Sequence, residues 1–163
     1  MTEIRRLSAS RWKDYRRIRL ESLQRNPLAF GSAYEEEARF GEGEWRKRMK
    51  NVHFAIADGV PVGTIVCSFN NDAKFKHIAE IYGYYVRPGY RGKGVGTALL
   101  DHALHLAKSN SQILKVRLYV NSKQRVALGM YEKAGFVVVG RLSGEMNVGT
   151  RFYTMLVMEK GVR

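Results

Sequence analysis

The segment Val86-Arg87-Pro88-Gly89-Tyr90-Arg91-Gly92-Lys93-Gly94-Val95-Gly96-Thr97 constrains this chain more than any other stretch. It follows a run from Ile78 to Val86 rich in β-branched and aromatic residues, and leads into a stretch where Val95, Leu99, His102, Ala103 and Leu106 recur at helical spacing. A central strand must therefore hand over to an amphipathic helix through alternating glycines at 92, 94 and 96. Glycines omit Cβ atoms where main-chain N–H groups approach a ligand, and the helix that begins there adds the positive end of its dipole. Such a turn can cradle a diphosphate; the competing reading is a turn whose glycines serve tight packing alone. Two familiar phosphate-binding turns do not fit. Lys93 is followed by Gly94 where a P-loop needs Ser or Thr, and Thr97 stands where a dinucleotide-binding turn needs its third glycine.

The remaining periodicities place this turn in a layered fold. A short strand over residues 4–7 precedes Ser10, a candidate N-cap, and a helix that runs to about Arg25 before Pro27 stops it. A second helix is expected over residues 44–50, then strands over 53–57 and 62–69 around the hairpin pair Asp58-Gly59. After the glycine turn come a helix to about Lys108, a strand over 113–120 and a helix over 124–134 capped by Gly135. Strands over 136–141 and 152–158 end the chain, giving the succession β-α-α-β-β-β-α-β-α-β-β of an α+β layer fold. With 163 residues, only three prolines and no internal repeat, residues 1–163 read as a single domain around one core.

Composition narrows the partners. The net charge of +13, from 28 Lys and Arg against 15 Asp and Glu, favours polyanions, among them nucleic acid and a multiply phosphorylated cofactor. That charge is spread along the chain and forms no single tail. The lone Cys67 has no disulfide partner and reads as a buried thiol. Residues 1–7 carry charge without an apolar run behind them, so neither signal peptide nor membrane span is expected, and the location expected is the cytoplasm.

A second constellation follows the turn: Val120-Asn121, then Ala127-Leu128-Gly129-Met130-Tyr131-Glu132-Lys133-Ala134-Gly135-Phe136. Together with Arg91-x-x-Gly94-x-Gly96, it resembles the GNAT superfamily of acetyl-CoA-dependent N-acetyltransferases, in which both signatures occur in this order on a strand, a turn and a helix. The resemblance is strong from Glu80 to Phe136 and rests on element order before that. It implies a single N-acetyltransferase domain with a mixed, mostly antiparallel sheet of about seven strands flanked by about four helices. It also implies acetyl-CoA as cosubstrate, no metal, and an amine acceptor of unassigned kind: a small molecule, a polyamine, a peptide N-terminus or a lysine. By the same resemblance Tyr84, Tyr85 and Val86 face the pantetheine arm, and Arg91, Gly92, Lys93, Gly94, Val95, Gly96 and Thr97 face the diphosphate. Asn121 carries over, whereas Gln124 stands where the family often has Asn.

The chemistry needs a base for the amine, donors for the developing oxyanion and a proton for the departing thiolate. Glu80, which interrupts an otherwise apolar strand, is the base candidate; alternatively it points to solvent or pairs with an arginine. A main-chain N–H near Val86 serves the oxyanion if a bulge splays this strand. Tyr131 matches the family's general acid, and a phenol with pKa of about 10 can donate to a thiolate; its other reading is a core aromatic. Glu35-Glu36-Glu37, with Tyr34, Phe40 and Trp45, is either a solvated run or a pocket for a cationic amine. His102 and His105 lie one helical turn apart without a third metal ligand nearby. Two other functions remain open: an acyl-CoA sensor without catalysis, and a nucleic-acid-binding module using the basic helix with Arg11, Lys13, Arg16, Arg17 and Arg19. The edge strands and the C-terminal β-pair also admit a homodimer.

Overall fold

Apolar runs with no polar alternation, such as Val52–Ala57, demand a sheet covered on both faces, and the computed structural model, which describes residues 1–163, has that arrangement. The elements are β1 (Glu3–Arg5), α1 (Trp12–Arg25), α2 (Tyr34–Glu37), α3 (Glu42–Arg48), β2 (Val52–Ala57), β3 (Val60–Phe69) and β4 (Ile78–Val86). They continue with α4 (Val95–Ser109), β5 (Lys115–Asn121), α5 (Arg125–Lys133), β6 (Val137–Val148) and β7 (Arg151–Gly161). One sheet of seven strands takes the order β1-β2-β3-β4-β5-β7-β6, antiparallel throughout except between β4 and β5.

Three details differ from the sequence expectation, each for a physical reason. The helices number five where about four were expected, because the single turn α2 is too short to show an apolar period. Ser10 does not cap α1: residues 9–11 form a 3₁₀ turn, α1 starts at Trp12, and no side chain caps it. The last two strands are much longer than 136–141 and 152–158, since β6 is an edge strand open to solvent on both faces and carries no burial alternation to read. Val137, Val138 and Val139 lie exposed along it.

The apolar side chains form two clusters, one on each face of the sheet, where a single core was expected. On one face α4 packs Leu99, Leu100 and Ala103 against Ile65, Ile81 and Leu118. On the other, α1 and α3 pack Tyr15, Ile18 and Trp45 against Phe54, Val66 and Tyr85. Cys67 is buried in the first cluster, and burial pushes its thiol up to about 11. No helix is long and apolar enough to cross a membrane.

Beneath α4 a buried imidazole meets a half-buried one. His53, at 6% exposure, faces His102 with Nδ1 and Nε2 2.8 Å apart, and the Arg6 guanidinium stands 3.5 Å from the other His53 nitrogen. His102 thus meets a strand histidine and not the helical His105. Burial, reinforced by the His102 and Arg6 charges, lowers the His53 pKa to about 4 from the ordinary 6.5. Between those values the unfolded chain binds a proton that the folded chain refuses, so stability present above pH 6.5 is lost as pH falls toward 4. The loss expected is about 3 kcal/mol, to be read from urea unfolding at successive pH values. His53→Gln should flatten that dependence, and an unchanged slope in the variant would refute the assignment.

Candidate active site

Parallel pairing of β4 with β5 is brief: Ile78 meets Lys115, Ala79 meets Val116, Glu80 meets Arg117, and there the two strands part. Residues 81–86 of β4 therefore have an unpaired edge on the β5 side, running toward the glycine turn. An extended ligand can add to such an edge as an extra strand.

A bulge shapes that free segment. Opposite β3, Tyr82 pairs with Val66 and Tyr85 with Thr64, so two intervening β4 residues oppose one on β3. Gly83 takes φ +62° there, a conformation that few side chains tolerate, and its carbonyl accepts a 2.9 Å hydrogen bond from the Thr64 hydroxyl. The extra residue reverses the pleat. Tyr82 and Tyr85 share the α1 face, whereas Tyr84 turns to the α4–α5 face and donates its hydroxyl to Met130 Sδ at 3.1 Å. The three residues expected to face one pantetheine arm are thus divided. Tyr84 and Val86 turn to one layer, and the Tyr85 ring lies under α1 with its hydroxyl donating to Glu21 Oε1 at 2.9 Å. Glu21 also receives Arg87, a junction between helix and turn that local sequence could not disclose because its members come from distant segments. Burial, then the Glu21 hydrogen bond, pushes the Tyr85 phenol up to about 12; burial alone does the same to Tyr84.

The glycines of the turn divide their work. Gly92 and Gly94 have φ of +71° and +79°, and a Cβ on either would meet nothing within 4 Å, so backbone conformation selects them and leaves open space in front. Gly96 is selected by contact, since a Cβ there would collide with the Tyr84 hydroxyl. None of the main-chain N–H groups from Gly92 to Thr97 donates to a protein acceptor. They converge at the positive end of the fifteen-residue α4, a layout suited to a diphosphate. The side chains of this stretch do less than their position suggests. Arg91 donates Nε to the Val86 carbonyl at 2.8 Å, and Lys93 folds back onto the Gly89 carbonyl at 2.9 Å. Val95 is buried in the core, so its part in any anion site is limited to its N–H.

Fork, turn and α5 enclose a cleft of about 1410 Å³. The Tyr131 ring is buried edge-on to Tyr84 and Phe136, with centroids 6.2 and 5.9 Å away, yet its hydroxyl makes no hydrogen bond within the protein and the residue lines the cleft. The ring takes its core reading and leaves its polar end to the cavity. Burial, with the neighbouring Tyr84 phenol, pushes its pKa well above the ordinary phenol value, so it keeps its proton at neutral pH. Glu80 also lines the cleft, half-buried at the apex of the fork, and makes no ion pair. Its cross-strand neighbour Arg117 is instead held by Glu159 at 2.6 Å. Asn121 is buried at the end of β5, where Oδ1 accepts from the Lys123 N–H at 3.0 Å and shapes the turn into α5. Sequence reasoning missed Tyr82 and Tyr119, about half exposed on facing strands and both lining the cleft; aromatics placed outward on central strands were the available signal.

The acidic triplet does not form a cationic pocket. Glu37 is 1% exposed and receives two 2.8 Å hydrogen bonds from Arg19 and one of 3.1 Å from Arg48. Burial alone would raise its carboxyl, but these guanidiniums hold it below the usual carboxylate range. Trp45 is core, edge-on to Tyr15, with its indole N–H on the Phe40 carbonyl.

A forked parallel pair beside a helix that opens on unbonded amides is a site for an elongated, diphosphate-bearing ligand. The acetyltransferase (GNAT) family model matches residues 9–136, and the chain belongs to that family. It is 35% identical over 97 residues to an uncharacterized N-acetyltransferase of Methanocaldococcus jannaschii, covering 57% of this chain and 42% of that protein. It is 39% identical over 104 residues to the peptidyl-lysine N-acetyltransferase YjaB of Escherichia coli, covering 63% and 67%. The chain thus matches less than half the length of the first of these. Among solved structures, an acetyltransferase of the GNAT family from Streptococcus pneumoniae aligns over 100% of both chains with a TM-score of 0.86 at 18% identity. A phosphinothricin acetyltransferase of Sinorhizobium meliloti, solved with acetyl-CoA, aligns over 98% of this chain and 88% of that one with a TM-score of 0.84 at 20% identity. At those identities the likeness is one of fold.

Proposed function

We propose that this protein is an N-acetyltransferase that moves the acetyl group of acetyl-CoA to a primary amine by direct attack while both are bound. The observation that carries this is the free β4 edge running straight into the unbonded amides of residues 92–97, with Tyr131 facing the same cleft. Those amides and the α4 dipole hold the diphosphate, and the edge of β4 aligns the arm beyond it. The coenzyme supplies an activated thioester carbonyl. Glu80 takes a proton from the attacking amine, directly or through one water, as the N–C bond forms. A main-chain N–H of the bulged segment of β4 receives the charge that develops on the carbonyl oxygen. The Tyr131 hydroxyl gives its proton to the sulfur as the C–S bond breaks.

The first acceptor to test is a lysine side chain, the class carried in the designation of the Escherichia coli relative. Tyr82 and Tyr119 beside Glu80 offer flat apolar walls to the methylenes of such a chain. A second copy would pair along β6, the longer of the sheet's two edge strands. Release of free thiol from acetyl-CoA, followed across lysine peptides, polyamines and amino acids, tests the reaction itself. Thermal stabilisation by acetyl-CoA without thiol release would leave only a sensor, and no stabilisation would remove the coenzyme site. For Glu80→Gln the expected result is a fall in kcat/KM of tenfold or more, about 1.4 kcal/mol, largest toward acidic pH where the amine carries its extra proton. A loss that does not vary with pH would remove Glu80 as the base.

A further inference from the structure

Outside the cleft, the outer flank of α1 forms a groove of about 570 Å³ that the proposed reaction does not use. Trp12, Lys13, Arg16, Arg17, Arg25 and Tyr34 line it. The cations in it are poorly neutralised. Lys13, Arg16 and Arg17 have no carboxylate within 4 Å, although Arg11 pairs with Asp14 and Arg19 with Glu37 close by. Arg25 reaches only Glu21, at 3.8 Å, and that carboxylate is held more closely by Arg87 at 3.0 Å. Like charges placed this close along one helix repel, and an anion in the groove would relieve the repulsion.

We propose that this groove binds single-stranded nucleic acid. From residue 13 to residue 25 the helix rises about 18 Å, with cations clustered at 13, 16 and 17 and a fourth at 25 two turns on, past Glu21, so phosphates of one strand can be met at both ends of the groove. Three of the four are arginines, whose planar forks pair with phosphate through two hydrogen bonds and also stack on bases. Trp12 and Tyr34 are both partly exposed in the groove, and their rings offer the flat faces on which unpaired bases stack. An acidic peptide would use the charge and leave those rings idle. A duplex keeps its bases stacked on one another and would leave those rings idle as well.

The test is fluorescence anisotropy of a labelled single-stranded RNA with the whole protein. Saturable binding is expected, with a log–log salt slope of about −3 for four cations on a single strand. Arg16→Glu with Arg17→Glu should weaken it at least tenfold and leave stabilisation by coenzyme A unchanged. Should that pair perturb folding, Lys13→Gln with Arg17→Gln, both exposed, should still weaken binding severalfold. The proposal is overturned if no binding occurs, or if either folded variant binds as the parent does, which would place the contact elsewhere on this basic surface. It is equally overturned if poly-glutamate competes as well as RNA, or if excess coenzyme A displaces the RNA.

Discussion

Glu37→Ala should lower the unfolding free energy by about 3–5 kcal/mol, the usual cost of removing one partner from a buried ion pair. Arg19 is the reason. Its side chain is 12% exposed, it stacks over Phe30 at 5.0 Å, and its guanidinium fork is matched by the Glu37 carboxylate alone. Alanine would leave that charge dry and unpaired, and Arg48 would lose its inward contact as well. Differential scanning calorimetry should show the melting temperature reduced by roughly 10 °C for a chain of this size. Because Arg19 and Phe30 both line the cleft, the acceptor KM should rise while coenzyme affinity holds. A variant as stable as the parent would show that Arg19 finds water or another acceptor at little cost.

For Tyr131→Phe the expected result is the reverse combination, an intact fold and a damaged reaction. Its hydroxyl bonds to nothing in the protein while its ring is packed, so phenylalanine should preserve the contacts with Tyr84 and Phe136 and leave the melting temperature unchanged. Turnover should fall at least tenfold, and by as much as the 10²–10⁴-fold that a positioned acid contributes, about 3–5 kcal/mol. Acetyl-CoA affinity, measured by calorimetry, should hold. Undiminished turnover would reassign Tyr131 to packing alone and leave the leaving thiolate to be protonated by water.

Much of this arrangement was legible in the residues before any coordinates. The glycine turn between Val86 and Thr97, the hairpin at Asp58-Gly59 and the helix ending at Gly135 are local events, each fixed by a backbone demand that a few neighbouring residues declare. What escaped depends on partners far apart in the chain. Glu37 reads as one of three solvated acids until Arg19 and Arg48 are brought to it, and His102 points to His105 until β2 delivers His53. The length of β6 was hidden for the opposite reason, since a strand wet on both faces is released from the alternation that would announce it. At the turn, position spoke more clearly than role. Gly92 and Gly94 take the open left-handed turn their spacing announces, but Arg91 and Lys93 bind their own main chain, which neither spacing nor charge reveals.

The single extra residue of β4 has a consequence for how this strand can change. Consecutive tyrosines at 84 and 85 face opposite layers as neighbours on any strand do, but the peptide unit out of step with β3 decides which of them faces which. Straightening the strand at constant length would swap their destinations and empty the slot above Gly96, whereas removing one residue between Tyr82 and Tyr85 would absorb the bulge and leave each ring on its own side. One residue can therefore be lost here without exchanging neighbours between layers, whereas the present residue count keeps its layers only while the bulge persists.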